Sequence, residues 1–277
     1  MTEVAGWNAP LSRREFLRAG VAAAGGLMVP GSAQAAAGFS FIVLSDLHYR
    51  DHRCAGWLEA VVASIRELRP RPGFVLLNGD LSDRGTRAEL GPVREITRVL
   101  PMPVRATIGN HDYVTSRSRV EFETLFGRQT NYRFRHNDWE FVALDTTNGP
   151  GVYRTWVTGE TLGWMDANLP RISQERPLVV FSHFPLSRNW LRPLNAREVT
   201  ARLQGRNVAG IFCGHWHGLS ERTERSMPVS IGRCCSWWRE NHDGTDRKGY
   251  FLCHATSAGL THEFVEVGPP RELRGTA

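Results

Sequence analysis

Five short polar runs occur in the order Asp46-Leu47-His48, Gly79-Asp80, Gly109-Asn110-His111-Asp112, a single His183, and Gly214-His215-Trp216-His217. Together they offer two carboxylates (Asp46, Asp80), one amide (Asn110) and four imidazoles (His48, His183, His215, His217), with His111 to spare. Carboxylate, imidazole and amide donors without thiolate suit Mn, Fe, Zn, Ni or Co better than Ca. The set is large enough for two ions, divalent or mixed-valence. A pair of ions needs a bridging group, and a carboxylate can give one oxygen to each. Asp80 alone among the acids follows an apolar run and a glycine, so it is the expected bridge. Two ions roughly 3.5–4 Å apart can generate hydroxide, clamp a substrate and stabilise both apical oxygens of an in-line displacement. Phosphate esters match that chemistry, because their transition state asks above all for positioning and charge stabilisation.

Residues this far apart in the chain need a scaffold that gathers them, and the apolar runs supply one. Continuous apolar stretches at Phe39–Leu44, Phe74–Leu77, Leu178–Phe181 and Val208–Phe212 each end just before a polar run, and Val104–Ile108 is a weaker fifth. Runs of this length read as buried strands, and strand ends along one sheet edge are where α/β proteins place their sites. Asp46 and His48, two apart at a strand end, point the same way, as do His215 and His217. Gly79, Gly109 and Gly214 are expected to let the backbone turn sharply there.

Helices are predicted at 55–69, with Leu58, Val61, Val62, Ile65 and Leu68 on one face, and near 86–100, where Pro92 should interrupt or kink the helix. With the intervening strands these form a β-α-β-α-β unit, which implies parallel strands. Further helices are expected at 119–126, 161–169 and 196–203, and strands at 132–135 and 140–144. Beyond Gly218 the pattern turns to hairpin-like strands at 220–224, 228–231, 250–255 and 262–267. The expectation is one α/β domain of two packed sheets with helices outside, its end mainly antiparallel.

At 277 residues and 41% hydrophobic content, the chain can bury a sizeable core. Its net charge of +6 comes almost wholly from arginine, since Lys248 is the only lysine among 34 basic residues. The arginines are scattered among acids rather than gathered on one face, so no nucleic-acid partner is expected. Five cysteines (54, 213, 234, 235, 253) form no C-x-x-C pair, which argues against a thiolate zinc site. At the start, Ser12-Arg13-Arg14-Glu15-Phe16-Leu17 precedes small apolar residues to Val29, and Ala33-Gln34-Ala35 offers a cleavage signal. That apolar run is shorter than the about 20 residues a membrane span needs. The string resembles a twin-arginine signal peptide over residues 1–35. The expectation is export by the twin-arginine machinery to the periplasm or beyond, with no stable membrane anchor after cleavage and a mature domain of residues 36–277.

The five polar runs, present in order over residues 42–217, resemble the calcineurin-like metallophosphoesterase superfamily. Leu44-Ser45-Asp46-Leu47-His48, Asn78-Gly79-Asp80-Leu81-Ser82-Asp83 and Gly109–Asp112 look most like its bacterial class III cyclic-nucleotide phosphodiesterases. The resemblance implies a four-layer αββα sandwich of two mixed β-sheets flanked by helices. It implies that Asp46, His48 and His217 hold one metal, that Asp80 bridges, and that Asn110, His183 and His215 hold the second. His111 would lie over the site, oriented by Asp83, and Arg84 would contact phosphate. Purple acid phosphatases carry a tyrosine three residues after the bridge, where Asp83 stands, so an Fe(III)–phenolate site is not expected. The activity implied is hydrolysis of a small phosphomonoester or phosphodiester by metal-bound hydroxide. A 3',5'-cyclic-nucleotide phosphodiesterase is the alternative enzyme, and a non-catalytic metal- or phosphate-binding protein is the alternative of another class. His52, His136, His242, His254 and His262 show no partner pattern and read as surface or structural. Loop 239–248 reads equally as a solvated hairpin or a lid, and Trp156, Trp190, Trp216, Trp237 and Trp238 as core or pocket wall.

Overall fold

Strands with apolar side chains on both faces have to be covered twice, and the computed structural model, which describes residues 38–269, shows how. Strands β1 (Phe39–Leu44), β2 (Val75–Asn78) and β3 (Val104–Thr107) are parallel neighbours. The hairpin of β10 (Gly249–Thr256) and β11 (Gly259–Glu266) extends this sheet antiparallel beside β1, giving the order β11-β10-β1-β2-β3. The second sheet runs β4-β5-β6-β7-β9-β8, from β4 (Tyr132–His136), β5 (Trp139–Leu144), β6 (Leu178–Ser182), β7 (Val208–Cys213), β8 (Ser220–Glu224) and β9 (Met227–Ile231). The antiparallel ending expected from the sequence is therefore two hairpins sent to different sheets, and β9 also pairs parallel with β7.

Alternation along each strand builds the layers. Phe41 and Val43 of β1, Leu76 of β2, Phe141 of β5, Phe181 of β6 and Phe212 of β7 meet in a core between the sheets. Their neighbours Ile42, Leu44, Val75 and Leu77 face the other way, onto α1 (Arg53–Glu67), α2 (Arg87–Thr97) and α3 (Val120–Phe126). Val142, Leu144, Val180 and Ile211 likewise face α4 (Gly159–Asn168) and α5 (Ala196–Leu203). The result is the four-layer αββα sandwich. Among the described residues no helix is long and apolar enough to cross a membrane. The signal segment expected over residues 1–35 lies outside the described residues.

Pro92 does not break its helix: α2 runs unbroken from Arg87 to Thr97 with Pro92 inside. The carbonyl it leaves without a helical donor belongs to Ala88, on the exposed side where water can serve it. Leu90 and Val93, both fully buried, hold the helix to the sheet.

At the carboxyl ends of the central strands the two sheets are tied together. Asn78, closing β2, donates from Nδ2 to the carbonyls of Ser182 at 3.2 Å and Phe212 at 3.4 Å, and its Oδ1 accepts from Thr107 at 3.0 Å. One fully buried amide thus fixes the spacing of β2, β3, β6 and β7 at the edge where the polar runs emerge.

Candidate metal centre

Three of the five polar runs leave their strands through left-handed backbone. Asp46, His48, Asp80, His215 and His217 all adopt left-handed backbone, with φ between 43° and 65°. Such conformations cost non-glycine residues on the order of 1–3 kcal/mol each and gather at functional sites. They are held by main-chain bonds across the loops: Asp46 N–H to Gly79 O at 3.2 Å and His48 N–H to Asp80 O at 2.9 Å. His215 N–H donates to the Asp46 carboxylate at 3.0 Å. Gly79 turns with φ 79°, as expected. Gly109 does not: its backbone is extended, and a side chain there would overlap the main chain and carboxylate of Asp80. A Cβ on Gly214 would likewise press on the Asp46 carboxylate at 2.6 Å. Both glycines serve close approach rather than turning.

The seven expected ligands come together. Asp46, His48, Asp80 and His217 place ligand atoms within 4.8 Å of one another, and so do Asp80, His183 and His215, so Asp80 belongs to both groups. In the first group His48 Nε2 and His217 Nε2 face each other at 3.0 Å, with Asp46 Oδ1 3.4 Å from His217 and Asp80 Oδ2 3.6 Å from His48. In the second, His183 Nε2 lies 3.2 Å from Asp80 Oδ2 and 3.2 Å from Asn110 Oδ1. His183 turns Nδ1 to the carbonyl of Asn78 and His215 turns Nε2 to the carbonyl of Val152, both at 3.3 Å. Each imidazole then keeps its other nitrogen for a cation, the arrangement metal-binding histidines favour.

Buried carboxylates need positive charge near them, and here imidazoles provide it. Burial alone would lower His183 and His217, but Asp80 lifts the first to about 9 and Asp46 lifts the second to about 10. Burial and the neighbouring His183 push His215 down to about 3, and burial drives His48 well below the ordinary imidazole range. Burial would raise Asp80, yet His183 and the other imidazoles hold it well below the usual carboxylate range. Two buried carboxylates, convergent ring nitrogens and an amide oxygen fit paired transition-metal ions, which would take over the balancing role of the imidazoles.

His111 stands beside this cluster, one quarter exposed, with its ring 4.7 Å edge-on from that of His48. Its main-chain N–H donates to Asp80 Oδ1 at 2.8 Å, which fixes the residue to the side chain common to both groups. Asp83 meets His111 through its main chain rather than through its carboxylate. His111 Nδ1–H donates to the main-chain carbonyl of Asp83 at 2.8 Å, while the carboxylate is 3.8 Å away. That carboxylate accepts instead from Arg239 Nη2 at 2.7 Å, because a guanidinium is the stronger, charge-assisted donor. Arg84 stands 74% exposed, and its one ion pair among the described residues is a loose 3.9 Å contact with Asp83.

Several residues at the site carried no assigned role in the sequence. Asp112 accepts from Gly109 N–H at 2.9 Å and from Ser82 N–H and Oγ–H at 3.0 Å, tying the loops after β2 and β3 together. Burial and the nearby Asp80 push its carboxyl up to about 7. Its place inside the Gly109–Asp112 run was the signal that could have found it. Arg239 had no such signal. Trp238 donates from Nε1 to the carbonyl of His48 at 2.8 Å and is flanked by the guanidiniums of Arg50 and Arg239 at 4.3 and 4.4 Å. Trp57, Trp237, Trp238, Arg239 and Lys248 line a cavity of about 650 Å³ beside the site. Trp190 and Trp156 are exposed, and Trp216 packs against the core under α4 and α5. Of the remaining histidines His242 comes nearest, its ring stacked 5.7 Å from His217, whereas His136 packs on Phe39 and Phe74.

Residues 39–219, which carry every ligand named above, match the calcineurin-like phosphoesterase family. The chain belongs to that family. With membership comes the activity class, metal-dependent hydrolysis of phosphoesters. A glycerophosphodiester phosphodiesterase of Enterobacter lignolyticus is 26% identical over 207 residues, 68% of this chain and 74% of the relative. A 3',5'-cyclic-nucleotide phosphodiesterase of Nostoc is 28% identical over 174 residues, 61% of this chain and 64% of the relative. This phosphoesterase therefore spans just under two thirds of the Nostoc protein. Purple acid phosphatase from yellow lupin seeds shares the fold, with a TM-score of 0.59 at 10% identity over 82% of this chain and 51% of the lupin chain.

Proposed function

We propose that this chain is an exported, dinuclear phosphoesterase acting on small phosphodiesters or phosphomonoesters. The observation that carries it is the sharing of Asp80 between two buried ligand groups, with His111 beside them and bonded to Asp80 through its main chain. Asp46, His48 and His217 would hold one ion, Asn110, His183 and His215 the other, with Asp80 between. Bound ions would supply Lewis acidity to the phosphoryl group and to the attacking water. The rest falls to the chain. Left-handed backbone and the Asn78 tie hold the donors in place before substrate arrives. Nδ1–H of His111 is committed to the Asp83 carbonyl, so Nε2 is the nitrogen that carries a proton to the leaving group. The exposed Arg84 adds positive charge at the edge.

The names of the Enterobacter and Nostoc relatives favour diesters. The cyclic-nucleotide reading is supported by the Nostoc relative and by the Asn78–Asp83 run, while an export signal speaks against an intracellular messenger as substrate. A panel of mono- and diesters on purified protein reconstituted with Mn, Zn or Fe tests the activity. Turnover of diesters above monoesters is expected. Two bound ions with no turnover of any ester would leave the non-catalytic, metal-binding alternative. For export, residues 1–40 fused to a reporter should cross the inner membrane, and Arg13→Lys with Arg14→Lys should stop it. Export persisting in that double variant would remove the twin-arginine assignment.

A further inference from the structure

His217 has a second partner that ligand chemistry alone does not call for. Its Nε2 faces His48 and Asp46, and its ring also hydrogen-bonds the side chain of Cys234. With Nε2 engaged, Nδ1 is left to the sulfur. Cys234 is fully buried and is held from several directions. Lys248 Nζ donates to Sγ at 2.9 Å, and the carbonyls of Arg239 and Glu240, each 3.6 Å away, can take the S–H. The Cys234 main-chain N–H donates to Asn241 Oδ1 at 3.1 Å.

Lys248 is the single lysine of a chain whose other basic residues are all arginine. Its ammonium also donates to the Arg239 carbonyl at 2.5 Å, so it joins the two ends of loop 239–248 around the sulfur. A compact ammonium with three rotatable donors on a flexible stem can serve the sulfur and the carbonyl at once. The loop itself is fastened to the ligand, since His242 N–H donates to the His217 carbonyl at 2.7 Å.

We propose that Cys234, held in place by Lys248, is a positioning residue for the metal ligand His217. The sulfur accepts the Nδ1–H, which fixes the tautomer and ring angle so that the Nε2 lone pair faces the cation. Cys234 is in neither ligand group and so acts through His217. Loop 239–248 is then neither a free hairpin nor a lid; it is the clasp behind one ligand. This inference rests on the dinuclear reading above, and metal binding tests the two separately.

The test strips the enzyme with chelator and titrates Mn(II) or Zn(II) against a chromophoric competitor, following thermal unfolding of the same samples. Partners behind ligands are typically worth 10–100-fold in metal affinity. Cys234→Ala should weaken one of the two sites by about that factor and leave the other within about twofold. Cys234→Ser, which keeps an acceptor, should recover most of the loss, and Lys248→Met should weaken the same site more mildly. A folded Cys234→Ala protein with both affinities unchanged would overturn the proposal. So would equal weakening of both sites together with a lowered melting temperature, the mark of a purely structural role. If Cys234→Ala does not fold, Lys248→Met decides: loss at one site supports the proposal and no loss defeats it. A wild-type enzyme that binds fewer than two ions would sink the dinuclear reading itself.

Discussion

The same strands carry two regions of opposite chemistry. In the middle of the sandwich Phe41, Phe74 and Phe141 meet at ring separations of 5.0–5.4 Å, and Phe181 and Phe212 continue the stack. These side chains carry no polar atom, and their packing needs only volume and shape. A few residues further on, the strand ends bury Asp46, His48, Asp80, Asn110 and His183 almost completely. There the backbone of Asp46, His48 and Asp80 is left-handed, and His183 stands within hydrogen-bond distance of the Asp80 carboxylate. The aromatic middle stabilises the fold; the strand ends hold strain and charge that the fold tolerates. Stability and function are therefore separable along a single strand.

The contrast breaks most easily at Asp80. Asp80→Ala removes the one side chain common to both groups and should abolish paired metal binding, lowering turnover by well over the roughly 100-fold ceiling of an outer-shell partner. Two retained ions or near-normal turnover would show that the bridge lies elsewhere.

His111→Ala should keep both ions and cost about 10²–10⁴-fold in turnover, the range of a general acid. Alkyl esters, whose alkoxide leaving group needs a proton, should lose most, and nitrophenyl esters least. Equal losses would mean that His111 holds substrate charge instead. Asp83→Asn preserves the carbonyl that holds His111 Nδ1, so it should cost less than about tenfold on this general-acid scale.

Phe141→Ala tests the other region. It touches Phe41, Phe74, Phe134 and Phe181, and truncating a buried phenylalanine typically costs about 3–5 kcal/mol. Urea unfolding should show that loss while the folded protein still binds its metals in the same ratio. A drop in metal affinity as large as the drop in stability would erase the separation of the two regions.

The smallest effect is electrostatic. His183 and His217 are lifted to about 9 and about 10 by Asp80 and Asp46, so each carries a proton near pH 8 that an incoming ion must displace. Metal affinity of the metal-free protein should accordingly rise with pH up to about 9–10 rather than level off above the ordinary imidazole range near 6.5. Calorimetry at pH 8 in buffers of different ionisation enthalpy would detect proton release on Mn(II) or Zn(II) uptake. Absence of release would mean the carboxylates are not balanced by those imidazoles.

How much of this was readable in the sequence differs from part to part. The helix over Ala196–Leu203 and the strand Ser220–Glu224 fall on their expected bounds, because local periodicity and the burial of one face decide such elements. The interruption expected at Pro92 did not occur, since its cost depends on which carbonyl it orphans and whether water reaches it. Gly109 and Gly214 were correctly singled out for the wrong reason. A sequence shows that a side chain is missing but not what crowds the space it would fill.

Order, spacing and residue type along the chain determined the set of clustered metal-binding candidates, the family and the parallel β/α first half. Buried strands must be apolar and their ends must carry the polar residues, and both are properties of short, contiguous text. Only the tertiary structure decided that Arg239 takes the Asp83 carboxylate, that Asn78 ties the sheets, and that Lys248 and Cys234 stand behind His217. These contacts join segments with no shared period, and the partners of Asn78 and Asp83 lie outside the run that holds them. They arise only when the last hairpins are sent to opposite sheets and the loop before β10 is folded against the ends of β1, β2 and β7. Their chemistry belongs to distances in space that no local pattern encodes.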